Sequence, residues 1–420
     1  MRKVVISGML GNALEWYDFA LYGHFVPIIT QLFFPASDPI VALMAAFGIF
    51  AAGFLMRPLG AILFGAIGDR YGRRQALSLA ILLMAIPTAC IGLIPSYASI
   101  GLWAPFFLTV IRLLQGLSLG GEFSGSIAFM VEHSPLHQRG LIGSTAMISM
   151  NLGILAGTLV ASLCSLSLSQ EDFIAWGWRV PFYLGLFVGL IGLYIRRQLH
   201  ESAEYQQLQK EMHSHPVSPL REVFSTYRSS LLAGIMIYMT VTVPFYTLTI
   251  FLKTYMVDFL HYDFQTALYF STAALAVSTV VLPVSGYWSD RIGRRLSLCY
   301  AACATVVLTG PSFFLLNQGG WWAPLVGHVV LGALSGWYMG PVPAMLAELF
   351  PARARYTGIG LSYNISAALL GGTVPMVATQ LIVQTGDLYA IAYYISFFGL
   401  MTLLYLVRYA SHFRVQMVST

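Results

Sequence analysis

Long apolar runs separated by short polar turns recur from one end of this 420-residue chain to the other. A helix needs about 20 mostly apolar residues to cross a bilayer. On that rule the pattern predicts twelve spans: 5–33, 40–67, 76–95, 103–132, 141–165 and 179–196, then 229–257, 265–288, 297–316, 322–347, 356–384 and 388–410. One long polar stretch, 197–228, parts the sixth span from the seventh; it holds Glu201, Glu204, Lys210, Glu211, His213, His215, Arg221, Glu222 and Arg228. It reads as a cytoplasmic connector, amphipathic helix in its first part and looser around Pro216 and Pro219. The expected fold is an all-α membrane protein of twelve transmembrane helices, with six-helix bundles at 1–196 and 229–420.

The polar turns repeat. GAIGDRYGRRQAL, beginning at Gly65 after the second span, returns as GYWSDRIGRRLSL, beginning at Gly286 after the eighth, with seven of thirteen positions identical. Glu132-His-Ser-Pro135, with Arg139 beyond it, returns as Glu348-Leu-Phe-Pro351, with Arg355 beyond it. The offsets, 221 and 216 residues, are each about half the chain. Two copies of the same pair of loops imply two six-helix halves in parallel arrangement, with a central cavity where they meet.

Composition agrees with a membrane protein and excludes a soluble one. Hydrophobic residues make up 57% and charged residues 9% of the chain, and mean hydropathy is +0.73, whereas a soluble domain carries roughly 25% charge. Of the 22 Lys and Arg, 18 fall at the termini or in alternate loops. The opposite loops hold Asp38, Glu171, Asp172, Asp263 and Asp387 but no Lys or Arg, which puts both termini in the cytoplasm of an inner (plasma) membrane protein. The net charge of +5 is spread over short loops and does not suggest nucleic acid. Arg2 and Lys3 precede a run carrying Glu15 and Asp18 with no small-residue cleavage site, so that run reads as a first span and not a cleaved signal. Cys90, Cys164, Cys299 and Cys303 read as small buried hydrophobes, and neither a metal site nor a cofactor is expected.

The charges left inside the spans are the candidates for chemistry. Glu15 and Asp18 lie roughly 15–20 Å from the cytoplasmic edge at 1.5 Å per residue. Gly8, Gly11, Glu15, Asp18, Phe19 and Tyr22 share one face of the first helix, which should line a cavity. Arg112 in the fourth span reaches a comparable depth. An Asp18–Arg112 pair is a chemically sensible proton switch, because separation of the pair leaves the carboxylate desolvated and ready to take a proton. Glu122 is the third intramembrane acid, a partner for Arg57 or a relay. Arg57, followed by Pro58, is the main candidate for a bidentate carboxylate clamp, with Arg179 a second and Lys253 an interfacial anchor. Gln115, one turn below Arg112, and Tyr22 are candidates for substrate contact, as are Tyr238, Tyr246, Trp337, Tyr363 and Asn364 in the second half. Gly371 and Gly372 before Pro375 suit a bending gate. In the repeated loops, Asp69 and Asp290 can cap helix N-termini, while Arg73, Arg74, Arg294 and Arg295 can pair with Glu132 or Glu348. With Arg70, Arg139 and Arg355 these residues form a candidate cytoplasmic latch.

The G-x-x-x-D-R-x-G-R-R loop and its copy resemble the signature of the major facilitator superfamily. More narrowly, LEWYDFALYG from Leu14, FLMRPLG from Phe54, RLLQGLSLGGEFSGS from Arg112, EHSPLHQRG from Glu132, WGWRVPF from Trp176 and ELFPARARYTG from Glu348 look like the metabolite:proton symporter family. That group comprises proline/betaine, 2-oxoglutarate, citrate and shikimate carriers. The resemblance implies the major facilitator fold, alternating access and a helix-1 acid paired with a helix-4 arginine for proton coupling. The expected function is proton-coupled import of a small carboxylate-bearing metabolite by a protein working as a monomer, and no enzymatic activity is expected. Three intramembrane arginines (Arg57, Arg112, Arg179) against three acids favour a zwitterion such as an amino acid, proline or betaine. An organic acid such as 2-oxoglutarate, citrate or shikimate is the alternative. Proton-driven export is disfavoured, because the fifth span, SMNLGILAGTLVAS from Ser149, lacks the proline of an exporter motif.

Overall fold

A computed structural model describes residues 2–34, 39–202, 205–207 and 218–408. Asp38, Glu204, Lys210, Glu211, His213, His215 and Pro216, on which part of the connector and loop reading rests, lie outside the described residues, as does Arg414. Among the described residues there are twelve long helices: α1 (Arg2–Phe33), α2 (Pro39–Tyr71), α3 (Arg73–Leu93), α4 (Trp103–Glu132), α5 (Arg139–Ser167) and α6 (Val180–Arg197). The second set is α7 (Arg228–Phe259), α8 (Phe264–Ile292), α9 (Arg294–Leu316), α10 (Trp322–Glu348), α11 (Ala352–Thr385) and α12 (Ala390–Arg408). Eleven of these contain a stretch long and apolar enough to cross a membrane; α1, which carries Arg2, Lys3, Glu15 and Asp18, is outside that set. Helix is the economical form for each span, because hydrocarbon offers no partner to an unpaired backbone amide.

Several helices overrun their expected ends. α2 continues through Asp69 and Arg70 to Tyr71, and α9 begins at Arg294. A hydropathy pattern reports where lipid stops, whereas a helix ends where its backbone is capped. Here the stop is a glycine: Gly72 has φ 116° and Gly293 φ 91°. A residue with a Cβ enters that region only at a cost, which explains one invariant position of the repeated loop.

Packing divides the chain into two units, Met1–His133 with Ser149–Leu220 and Ser134–Ile148 with Arg221–Thr420. The first turns of α5 thus group with the second unit, where Asp290 accepts hydrogen bonds from the Gly140 and Leu141 amides at 2.8 and 2.9 Å. The apolar core of the first unit gathers Leu14, Leu21, Phe25, Met84, Leu108, Trp178 and Phe182 from α1, α3, α4, the turn before α6 and the start of α6. Leu55, Leu59 and Leu63 of α2 and Leu79, Ile86 and Leu93 of α3 point outward at helical spacing. Such stripes suit contact with acyl chains and would be a liability in water.

In the first unit, α2 and α4 approach backbone to backbone. A Cβ on Gly116 would fall on the Gly53 carbonyl, and one on Gly120 on the Arg57 carbonyl and the Ala61 amide. In the second unit Gly332 and Gly336, each 216 residues further on, meet Ala274 and Ser278 of α8 in the same way. Small residues at a four-residue spacing permit this close approach. The contact sets Arg57 and Arg112 on neighbouring helices. Gly120→Val is therefore expected to force α2 and α4 apart at about 1–3 kcal/mol. It should lower the thermal unfolding midpoint in detergent; an unchanged midpoint would mean that the helices separate freely.

Candidate functional site

The polar face of α1 meets its partners in order along the helix. Positions 7, 11, 15, 18 and 22 fall on one side at steps of three or four residues. The Ser7 carbonyl accepts from Arg196 Nη2 at 3.2 Å. Gly11 leaves room for the Glu122–Arg196 pair, which a Cβ there would strike. Glu15 faces Arg57 of α2, with Oε1 3.9 Å from Nη2. Asp18 is the best satisfied acid of the three. Its Oδ2 accepts from Arg112 Nη1 at 2.7 Å, and its Oδ1 accepts from Gln115 Nε2 at 2.9 Å and Thr88 Oγ1 at 3.0 Å. The Tyr22 ring supports the Arg112 guanidinium at 3.8 Å. All three acids are 1% exposed.

A narrow cleft opens along this row, with Glu15, Asp18, Phe19, Phe54, Arg112 and Gln115 in its wall. Among the described residues, Arg112 Nε and Nη2 are buried there without a hydrogen-bond partner, as are Gln115 Oε1 and both oxygens of Glu15. Phe19 and Phe54 meet edge to face at 6.2 Å, and the Arg57 guanidinium lies 5.2 Å from the Phe54 ring. The wall thus combines unused donors, unused acceptors and aromatic faces.

At the other end of these helices stand the repeated loops. Arg73, fully buried, pairs with Asp69 at 3.2 Å and with Glu132 at 3.0 Å, and donates to the Gly68 carbonyl. Arg294 repeats the pattern with Asp290 at 2.6 Å and Glu348 at 3.3 Å. Arg74 and Arg295 bind carbonyls, Leu199 at 2.9 Å and Leu406 at 2.7 Å, and so sit apart from the Glu132 and Glu348 pairs expected of them. Arg355 holds the turn after α10 through the Ala347 and Phe350 carbonyls; Arg139 is buried and Arg70 exposed beside Tyr71.

The connector adds a feature that the sequence reading missed. Glu201 accepts from the Arg73 and Arg74 amides at 3.2 and 2.9 Å, capping α3. Ser202 donates to Glu132 at 3.0 Å, and Arg73 lies 4.6 Å over the Tyr205 ring. Burial raises the Glu201 carboxyl above its usual range and pushes the Tyr205 hydroxyl up to about 12. An Asp, Arg and Glu signature in the loop carries no sign of this strap, because its members lie some 130 residues away (Glu201 Oε1 to the Arg74 amide spans 127 positions).

A sequence model of the Major Facilitator Superfamily matches residues 8–375. The chain belongs to that superfamily. Among its relatives is the glycine betaine/proline/ectoine/pipecolic acid transporter OusA of Dickeya dadantii (strain 3937), 37% identical over 417 residues, or 97% of this chain and 83% of that one. The proline/betaine transporter of Escherichia coli (strain K12) is 36% identical over 403 residues, 94% of this chain and 80% of that one. A structure of the proton:xylose symporter XylE bound to 6-bromo-6-deoxy-D-glucose shares the fold with a TM-score of 0.80 at 17% identity, covering 97% and 95% of the two chains. The chain is a multi-pass membrane transporter and not an enzyme.

Two arginines of the transporter exchange places relative to the sequence reading. Arg179 lies outside the cleft wall: its guanidinium stacks on Trp178 at 4.5 Å and donates to the Ala175 carbonyl at 2.9 Å. Arg196, counted from the sequence among loop charges, is 1% exposed. Its Nη1 and Nη2 grip the two oxygens of Glu122, and Nη1 also donates to the Leu77 carbonyl. Glu122 therefore pairs with Arg196 and not with Arg57. Thr88, which completes the shell of Asp18, was also missed; one threonine in an apolar helix gives no signal.

In the second unit, Tyr238 and Tyr363 stack edge to face at 4.8 Å, and Asn364 donates to the Gly360 carbonyl. Tyr246 packs on Gly371 beside π turns at Thr247–Phe251 in α7 and Ala367–Gly371 in α11. Widened turns of this kind are frequent at functional sites, and Gly371, one of the two glycines expected to bend, closes the second of them. A narrow pocket lies in this unit, walled by Thr240, Thr247, Thr305, Thr309, Ser335 and Tyr338, among others. Trp337 and the other expected substrate contacts of this half are not part of that wall.

Proposed function

We propose that the transporter imports a small zwitterion of the amino-acid, proline or betaine type together with protons, by alternating access. The observation that carries this reading is the cleft wall. Arg112 Nε and Nη2, buried and without a partner among the described residues, form the forked edge that takes a carboxylate in two parallel bonds. Its other edge is occupied by Asp18, which keeps the guanidinium oriented. Opposite charge on the substrate has two kinds of partner in the same wall. An N–H can reach the unused Gln115 Oε1, and a methylated ammonium, which has no hydrogen to donate, can rest on the Phe19 and Phe54 rings. The names of the curated relatives, transporters of proline and of glycine betaine, support the same class.

Around this site the proposed architecture has halves 1–196 and 229–420 joined by the 197–228 connector. Both termini lie in the cytoplasm of the inner membrane, and a single chain suffices for transport. The Asp69, Arg73, Glu132 set and its Asp290, Arg294, Glu348 copy act as latches that break for inward opening. Uptake into proteoliposomes tests the function. Radiolabelled proline and betaine are expected to accumulate under an inward proton gradient and to equilibrate without it. Accumulation of 2-oxoglutarate or citrate but not of the zwitterions would replace this reading with an organic-acid carrier.

A further inference from the structure

We infer that Glu15 carries the symported proton, while Asp18 serves to hold Arg112; the inference rests on the proton-coupled reading above. Three buried acids of the first unit, Glu15, Asp18 and Glu122, lie along the polar face of α1, away from the repeated loops, and they differ in what a proton would displace. On Asp18 it would displace Arg112 Nη1 at 2.7 Å, or Gln115 and Thr88, all of which donate to that carboxylate. On Glu122 it would break into the grip of Arg196, whose two terminal nitrogens occupy both oxygens. On Glu15 it displaces nothing. Neither of its oxygens accepts a hydrogen bond from the described residues, and its one ion pair is stretched to 3.9 Å.

A carboxylate buried without donors is the costly state of this group, and a carboxylic acid is the cheaper one. The neutral acid also gains a use, because Glu15 shares the cleft wall with Gln115, whose Oε1 is a buried acceptor without a donor among the described residues. The charges around Glu15 in this unit are assigned. α2 brings Arg57. α4 brings Arg112 and Glu122, and α6 brings Arg196, and these are already paired with Asp18 and with each other. α3 brings the neutral Thr88, and α5 meets α1 through the uncharged Gly153 and Gly157. Arg57 is thus the positioning residue. When the proton leaves to water, the guanidinium closes on the bare carboxylate; when a proton arrives from water, the pair relaxes to the separation observed.

The test is the coupling ratio in proteoliposomes: proton-driven accumulation of radiolabelled proline, with acidification of an internal pH dye, divided by the proline exchange rate. A structural defect lowers both and leaves the ratio in place. Glu15→Gln is expected to lower the ratio at least tenfold, while Asp18→Asn lowers accumulation and exchange together. A wild-type ratio in Glu15→Gln overturns the inference, and so does Asp18→Asn exchanging normally without accumulating. Should Glu15→Gln lose exchange as well, Glu15→Asp is read instead: restored accumulation supports Glu15, and exchange without accumulation overturns it. Wild-type protein that takes up proline without acidification overturns the proton-coupled reading itself, a result distinct from any of these.

Discussion

Arg112→Lys is expected to raise the KM for zwitterion uptake about 100-fold or more, from the loss of two charged hydrogen bonds worth about 1.5–3 kcal/mol each. The arginine does two jobs from one plane. Nη1 holds Asp18 at 2.7 Å, and Nε with Nη2 has no partner among the described residues of the cleft wall. Tyr22, 3.8 Å from the guanidinium, keeps that plane fixed. Lysine can neutralise Asp18, so the fold should survive, but a single ammonium cannot also offer a forked edge to a carboxylate. The measurement is uptake kinetics together with the thermal stabilisation that proline gives the purified protein. Wild-type KM in the lysine variant would move the carboxylate site elsewhere, with Arg57 the next cation in line.

The second large effect is on stability. Arg196→Met is expected to destabilise the protein by about 3–5 kcal/mol, the range for stranding one member of a buried ion pair. Glu122 would keep its 1% exposure but lose the partner of both oxygens, and the Leu77 and Ser7 carbonyls would lose their donor. The drop should appear as a lower unfolding midpoint in detergent. Glu122→Gln together with Arg196→Met should recover part of it, because no charge is then left alone. Full stability of the single variant would place Arg196 at the lipid interface, as the charge count alone suggests. The contrast with Glu15 is instructive: Glu122 is locked by two nitrogens, and Glu15 is held at 3.9 Å by one.

The twelve spans, the duplication and the acidic face of α1 are legible in the sequence, because each depends on a local period or a repeated string. Asp18 and Arg112 could also be paired on depth alone, and their 2.7 Å contact agrees with that. Arg196 could not. A basic residue in the last turn of a membrane helix can turn outward to water or inward to an acid, and the two choices look alike in a charge count. The inward choice depends on Gly11 of α1, which leaves the space that Glu122 and Arg196 fill. Tertiary packing likewise brought Glu201 to the N-terminus of α3, although nothing in the connector marks it as a cap.

By itself, then, the sequence determined that this chain is a duplicated twelve-helix transporter with buried charges, since apolar length, loop charge and repeats act through the bilayer on each segment separately. Only the tertiary structure decided that Glu122 pairs with Arg196 and that Glu15 faces Arg57. That choice depends on which side chains meet across α1, α2, α4 and α6, and at these depths a hydrogen bond made or missing separates a locked carboxylate from one free to take a proton.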